Sequence, residues 1–354
     1  MLIDDLRDRI DEIDAQVLQL LNERARLALE IGRQKAHREE SFFAPARERQ
    51  VIEGMLAQNQ GPLPEAAVRA IYREIISSCR ALEQRLRVAY WGPPGSFTHV
   101  ASMQKFGSLV DHKPYESVAE VFAAVSNKQA HYGVVPIENS TEGIVEYTLD
   151  TFNESNLIIC AEVYVEVSHN LVSLASSVKE VKRLIASAQP LAQCRRWIAQ
   201  HLQGIEIQEV STTSRAAKMA AQDPTAAAIA NSMAAEIYGL RILQDHIEDS
   251  PHNRTRFLVI GHTATPPSGR DKTSLLMSVR HRAGSLFRAL AIFDKYDINL
   301  TMIESRPSKR TPWEYIFFID LQGHQRDPMV QKALCRLRQE AEFVKVLGSY
   351  PEAE

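Results

Sequence analysis

Two cations stand where apolar residues belong. Leu6, Ile10, Ile13, Val17, Leu20, Leu27 and Ile31 step by threes and fours with position 24 among them, an apolar stripe of helical period. Arg24 occupies that position, and Lys35 lies eleven residues later, about three turns on and so on the same face. Glu48 falls on a helical face marked by Ile52 and Met55. Cys79 and Glu83 lie one turn apart beside Ile75, Leu82 and Leu86. Charges from three helices therefore point at one interior. A buried cation needs a counter-ion or an anionic ligand. One reading is a bundle with buried salt bridges or stems that snorkel to water; the other is a pocket for a small dianion. Arg7 is rotated by about 100° from the Arg24 face, so it could enter such a pocket only from elsewhere, such as a second subunit.

Four polar clusters follow: residues 92–98 (GPPGSFT), 136–141 (PIENST), 211–214 (STTS) and 253–257 (NRTRF). Singly they are ordinary. Ser and Thr before helices are usually N-caps, Gly-Pro-Pro-Gly makes turns, and His169 in "SHNL" reads as a structural histidine. A phosphate-loop reading of GPPGS fails because no Gly-Lys-Ser/Thr follows. Jointly they describe a hydroxyl-rich crevice with one carboxylate, Glu138. Near the C-terminus, Gly284-Ser285-Leu286 opens a helix and Glu304-Ser305-Arg306-Pro307 closes a strand. The glycine could simply turn the chain. Free backbone N–H groups at a helix start also suit a carboxylate, and Glu304 could face an ammonium.

These residues need elements to hold them. Residues 1–86 read as three helices: the first from about Leu2 to Arg38, the second starting near Pro45, which suits a first helical position, and the third from about Glu65 to Leu86. The first would be about 55 Å long, against about 30 Å for a compact domain of this size. One copy cannot cover its stripe, which implies a dimer with interlocked helices. From Arg87 strands and helices alternate, and Ser117-x-x-Glu120 and Ser177-x-x-Glu180 read as capping boxes starting two helices. This is α/β patterning over 87–265, long enough for two lobes with a cleft. Residues 263–271 (TATPPSGRD) read as a linker. Beyond it, strand 273–280, helix 284–295, strands 298–306 and 314–321, helix 328–341 and strand 342–348 make a ferredoxin-like βαββαβ domain over 271–350.

Composition excludes several classes. A chain of 354 residues holds two or three domains, and a net charge of −3 gives no reason to expect nucleic acid. Four scattered cysteines without a C-x-x-C pair argue against zinc or a disulfide framework and fit a reducing cytoplasm. The acidic, periodic N-terminus does not read as a signal peptide, and no apolar run approaches the ~18 residues of a membrane span.

The run LRDRIDEIDAQVLQLLNERARLALEIGRQK, followed by ARERQVIE, resembles the all-helical chorismate mutase family over most of residues 1–86. The resemblance implies that Arg7 of the other subunit, Arg24 and Arg47 hold the substrate carboxylates. Lys35 would donate to the ether oxygen, Glu48 would hold the ring hydroxyl, and Cys79 and Glu83 would line the site. The reaction is an intramolecular rearrangement, so the protein selects a compact conformer and stabilises charge growing on the ether oxygen. Ala44 stands where an aspartate is common, and Glu83 where a glutamine commonly donates. An ionised glutamate cannot donate, so Glu83 would need to carry its proton with substrate bound.

The clusters at 92–98, 136–141 and 253–257, with "SHNL" and the 211–214 hydroxyls, resemble the G-P-x-G-[TS]-F, I-E-N-[ST], N-x-T-R-F, S-H-x-L and S-T motifs of prephenate dehydratase over about 88–262. The resemblance makes Thr255 catalytic and places Ser96, Glu138, Asn139, Ser140, Ser211, Thr212, Thr213, Arg256 and Phe257 at the cleft. A threonine hydroxyl can hydrogen-bond a leaving oxygen but is a poor acid alone, so Glu138 is the expected proton source. Gly284, Ser285 and Leu286 with Glu304, Ser305, Arg306 and Pro307 resemble the G-A-L and E-S-R-P motifs of the ACT-type regulatory domain, with Ser285 for the usual alanine. Phenylalanine would bind there between paired domains and lower activity, which requires differential affinity for two states.

The expectation is a cytoplasmic bifunctional chorismate mutase–prephenate dehydratase, a homodimer or larger, without metal, cofactor, membrane or nucleic-acid partner. It would take chorismate and prephenate as substrates and phenylalanine as inhibitor. Two alternatives stand beside it. One is a dehydratase whose helical segment is only a dimerisation arm; the other is a non-catalytic two-lobed binding module. A dehydrogenase fusion is disfavoured, because no Gly-x-Gly-x-x-Gly follows a strand.

Overall fold

The computed structural model describes residues 3–38, 43–250, 252–307 and 315–353. Residue 314, expected to open a strand, lies outside them, as does Leu2. The chain forms two compact units: Met1–Arg87 with Phe106–Asp111, and Val88–Lys105 with His112–Glu354.

The first unit is helical: α1 (Ile3–Arg38), α2 (Pro45–Gln58) and α3 (Glu65–Glu83). Pro45 sits at the start of α2, where its missing N–H costs nothing. The α1 stripe is left uncovered within the chain, with Leu20 65% exposed and Ile10 and Ile31 also exposed. Against α3 the helix uses Gly32, where an added Cβ would stand 3.0 Å from the Glu83 Cβ. That close approach lets Glu83 face α1.

The second unit runs β1 (Arg87–Trp91), α4 (Phe97–Phe106), β2 (Asp111–Tyr115), α5 (Val118–Ser126), β3 (Tyr132–Asn139), β4 (Gly143–Ile144), α6 (Glu146–Glu154) and β5 (Ile158–Glu166). It crosses to a second lobe with β6 (Asn170–Ser173), β7 (Arg183–Ala186), α7 (Ala188–Gln193), α8 (Arg195–His201), β8 (Glu206–Glu209), α9 (Thr213–Ala220), β9 (Ala226–Ala230), α10 (Ser232–Tyr238) and β10 (Arg241–Gln244). It then returns through β11 (Arg254–Gly261). The first sheet has the order β2-β1-β3-β11-β5 with β4 on β3; the second is β10-β6-β9-β7-β8. Two crossings, after β5 and before β11, link the lobes. Ser117 caps α5 by accepting from Glu120 N–H, as the box predicts. Ser177 caps no α-helix: only a single 3₁₀ turn, Val178–Glu180, forms there. The Ser176 and Ser177 hydroxyls instead donate to Glu180 Oε1, and β7 follows too soon for a helix to grow.

The last six elements are β12 (Asp271–Ser278), α11 (Ser285–Lys295), β13 (Leu300–Pro307), β14 (Tyr315–Gln322), α12 (Pro328–Glu340) and β15 (Phe343–Pro351), the expected βαββαβ order. Their antiparallel sheet is β13-β14-β12-β15. It does not hang on a loose linker. The Thr265 hydroxyl donates to the Cys160 carbonyl, and Leu276, Phe318, Leu347 and Tyr350 share one core with Phe122, Phe152 and Ile159 of the first lobe. At Gly348 an added Cβ would stand 2.2 Å from the Ile159 carbonyl oxygen, so only glycine permits β15 to lie this close to β5.

Candidate active sites and effector site

In the helical unit a pocket of about 440 Å³ is lined by Arg24, Lys35, Ala44, Arg47, Glu48, Cys79, Arg80 and Glu83. All the expected pocket residues of the chain meet here except Arg7, which is 72% exposed and pairs with Asp4. Lys35 Nζ donates to Glu83 Oε2 at 3.4 Å. Glu48 is engaged by Arg80, whose side chain is only 4% exposed and also donates to the Phe106 carbonyl at 2.6 Å. Sequence reasoning missed Arg80. Its signal is spacing, since Ile76, Arg80 and Glu83 share one α3 face.

In the second unit a cavity of about 550 Å³ opens between the two lobes. Its lining includes Ser96, Asn139, His169, Gln189, Ser211, Thr212, Thr213, Ser214, Thr255 and Phe257. Strand pairing explains the central pair: Thr255 on β11 lies opposite Asn139 on β3. Asn139 Nδ2 donates to Thr255 Oγ1 and to Asn253 Oδ1, each at 2.8 Å. Asn139 Oδ1 accepts from the Thr141 and Glu142 backbone N–H groups, which fixes the amide's orientation. Because Thr255 Oγ1 accepts from the amide, its own proton is free to be donated into the cavity. Thr212 is an N-cap, accepting from Arg215 N–H. Ser214 Oγ, next along α9, is buried without a partner.

Three expected cleft residues lie elsewhere. Glu138 does not line the cavity; side chains alternate along a strand, and Asn139 takes the cleft face, so Glu142 and Glu146 are the carboxylates that reach it. Ser140 Oγ accepts from Arg254 N–H and donates to the His252 carbonyl, fastening a loop. Arg256, beside Thr255, points to the opposite face. His169 is more than the structural residue expected, because its ring lines the cavity. Gln193 Oε1 accepts from Nε2 at 2.7 Å, Nδ1 has no partner, and burial holds the ring below the ordinary histidine range. Gln189 carried no signal in the sequence.

In the C-terminal sheet, Gly284 takes φ 77° at the start of α11. The Ser285 hydroxyl accepts from Arg288 Nη2, and Leu286 packs at the edge of the domain core. Glu304, Ser305, Arg306 and Pro307 lie on the edge strand β13. Arg306 turns to α6 and pairs with Glu146 at 2.8 Å and Asp150 at 3.4 Å. Among the described residues no helix is long and apolar enough to cross a membrane.

A charge-lined helical pocket, a two-lobed α/β cleft and a βαββαβ sheet are thus the three parts of the chain. Profiles for chorismate mutase type II, prephenate dehydratase and the ACT domain match residues 6–84, 88–265 and 273–339. The chain is 44% identical to the bifunctional chorismate mutase/prephenate dehydratase of Aquifex aeolicus, covering 99% of this chain and 98% of that one. It is 45% identical to the protein of the same description from Stutzerimonas stutzeri, covering 98% and 97%. A prephenate dehydratase from Arthrobacter aurescens, solved in complex with L-Phe, superposes with TM-score 0.70 at 32% identity, covering 76% of this chain and 90% of that one. The chain belongs to the bifunctional chorismate mutase/prephenate dehydratase family.

Proposed function

We propose that this chain rearranges chorismate to prephenate in the helical unit and converts prephenate to phenylpyruvate in the lobed unit, under inhibition by phenylalanine. The first reaction needs no nucleophile. Arg24 and Arg47 meet the substrate carboxylates, and Arg7 of a second subunit completes the set. The exposed α1 stripe supports such a dimer: a helix with its apolar face in water needs a cover. Lys35 donates to the ether oxygen and is oriented by Glu83. Glu48 is held by Arg80 with a carboxylate edge for the ring hydroxyl.

In the second reaction the ring C–O electron pair leaves with hydroxide. The carboxylate C–C pair enters the ring, and aromaticity drives both. The Thr255 hydroxyl hydrogen-bonds the departing oxygen, while Asn139 holds that hydroxyl in place. The 211–214 hydroxyls and the N-terminal amides of α9 orient a carboxylate. Arg256 and Glu138 drop out of the substrate set. The observation that carries this reading is the Asn139–Thr255 pair in the cavity wall.

Incubating the protein with chorismate tests it. Chorismate should disappear, phenylpyruvate should appear, and phenylalanine should slow the second step. In Thr255→Val, prephenate should accumulate. Chorismate left untouched would reduce the helical unit to a dimerisation arm. Phenylalanine would bind at residues 284–286 and 304–307, whose sequence resembles the motifs of ACT-type domains. The tilt of Arg306 onto α6 leaves Glu304 as the residue that would meet its ammonium.

A further inference from the structure

A group of charges that neither reaction uses lies between the dehydratase sheet and the regulatory sheet. Glu162 on β5, Arg256 on β11, Lys272 on β12 and Asp320 on β14 have side chains at most 7% exposed. Arg256 Nε donates to Glu162 Oε2 at 2.8 Å, Nη1 to Asp320 Oδ2 at 2.5 Å, and Nη2 to the Tyr350 hydroxyl on β15 at 3.1 Å. Lys272 Nζ donates to Glu162 Oε1 at 3.1 Å. Ser274 donates to Asp320 Oδ1, so the Tyr350 hydroxyl donates to Ser274 Oγ. Burial keeps that phenol protonated. Two cations thus meet two anions with their polar atoms engaged. A buried set of this kind adds little stability over apolar packing of the same volume, but losing one member is costly. What it supplies is direction: a planar guanidinium satisfies three acceptors in only one orientation.

The place of Arg256 in the strand gives that direction a use. Neighbouring strand residues face opposite sides, so Thr255 faces the cavity and Arg256 faces the regulatory sheet. Between Arg256 and Phe257 the pairing of β11 with β3 slips. Such a bulge bends a strand and re-aims its side chains. The clamp also touches the strand that carries Glu304: Met302 on β13 lies opposite Asp320, and its sulfur is 3.4 Å from Arg256 Nη1.

We infer that Arg256 is a positioning residue of the dehydratase. Its guanidinium clamps β11 to the regulatory sheet and so holds the Thr255 hydroxyl against Asn139, which makes the seating of that sheet a determinant of turnover. This rests on Thr255 being the group that assists the leaving oxygen.

Arg256→Lys and Asp320→Asn in the full-length chain test it, with Thr255→Val as reference. Dehydratase kcat, KM for prephenate, mutase rate and phenylalanine inhibition are measured together. Arg256→Lys keeps the charge but cannot span three acceptors, and Asp320→Asn keeps shape and an acceptor. Displacement of a reacting group by about 1 Å costs about 100-fold, so kcat should fall about 10- to 100-fold. KM should stay within about twofold, because the cavity wall is untouched, and mutase rates should be unchanged. In Asp320→Asn phenylalanine should still bind, with weaker maximal inhibition. Wild-type kcat with only a lowered melting temperature would overturn the inference. So would a raised KM at unchanged kcat, which would put Arg256 on the substrate. If Thr255→Val kept its turnover, the underlying reading would fail first; if only Thr255→Val lost turnover, the positioning role alone would fail.

Discussion

Thr255 shows what one hydrogen bond decides. Its oxygen is occupied by the Asn139 amide at 2.8 Å, so its proton is the part left to be donated into the cavity. Thr255→Val should lower dehydratase kcat by about 100-fold or more, since a donor aimed at developing negative charge is worth that much. Thr255→Ser should recover part of the loss. Glu138→Gln should leave kcat within about threefold, because removing a carboxylate outside the cavity removes no transition-state contact. In the helical unit Glu83 accepts from Lys35, so it can donate to an ether oxygen only by carrying a proton. Glu83→Gln supplies a donor that needs no added proton and should keep or raise the mutase kcat; a large loss would make the carboxylate's hold on Lys35 the contact that matters.

At the scale of elements, the turn between β1 and α4 is held by a histidine acting as acceptor. Gly95 N–H donates to His99 Nδ1 at 3.2 Å, and the ring stacks on Tyr90. Burial first, and His112 second, lower its pKa from 6.5 to about 4. The unfolded chain therefore takes up a proton on this ring before the folded one does. The stability this ring contributes is fully present above pH 6.5 and is lost as pH falls toward about 4. In thermal melts His99→Gln should show a shallower loss of melting temperature over that window, and an unchanged slope would remove His99 as the cause. The same turn lines the dehydratase cavity through Ser96, so dehydratase activity should fall with it.

At the scale of the molecule, the proposed mutase reading takes Arg7 from a second copy, which would also cover the exposed α1 stripe. Arg7→Ala and Arg24→Ala should each abolish most mutase activity. Mixed and allowed to exchange subunits, they should recover about a quarter of the wild-type rate. Half the dimers are then hybrids, each with one intact site of two. No recovery on mixing would place Arg7 within its own subunit's chemistry.

Much of this was legible without coordinates. Helical period placed Arg24, Lys35 and Glu83 on one interior, and strand-then-loop patterning set Asn139 and Thr255 at strand ends, because local periodicity is written directly into residue order. Composition read residues 263–271 as a linker, and residues 263–270 do join β11 to β12 without helix or strand; motif proximity put Arg256 and Glu138 beside the substrate, and that reading gave way to tertiary structure. Which face of a strand a side chain takes depends on register and bulges, and register is fixed only when strands distant in sequence pair. The Arg256–Asp320 contact joins residues 64 apart in the chain. No window of sequence contains it, and only the packing of the regulatory sheet on the dehydratase sheet brings the two together.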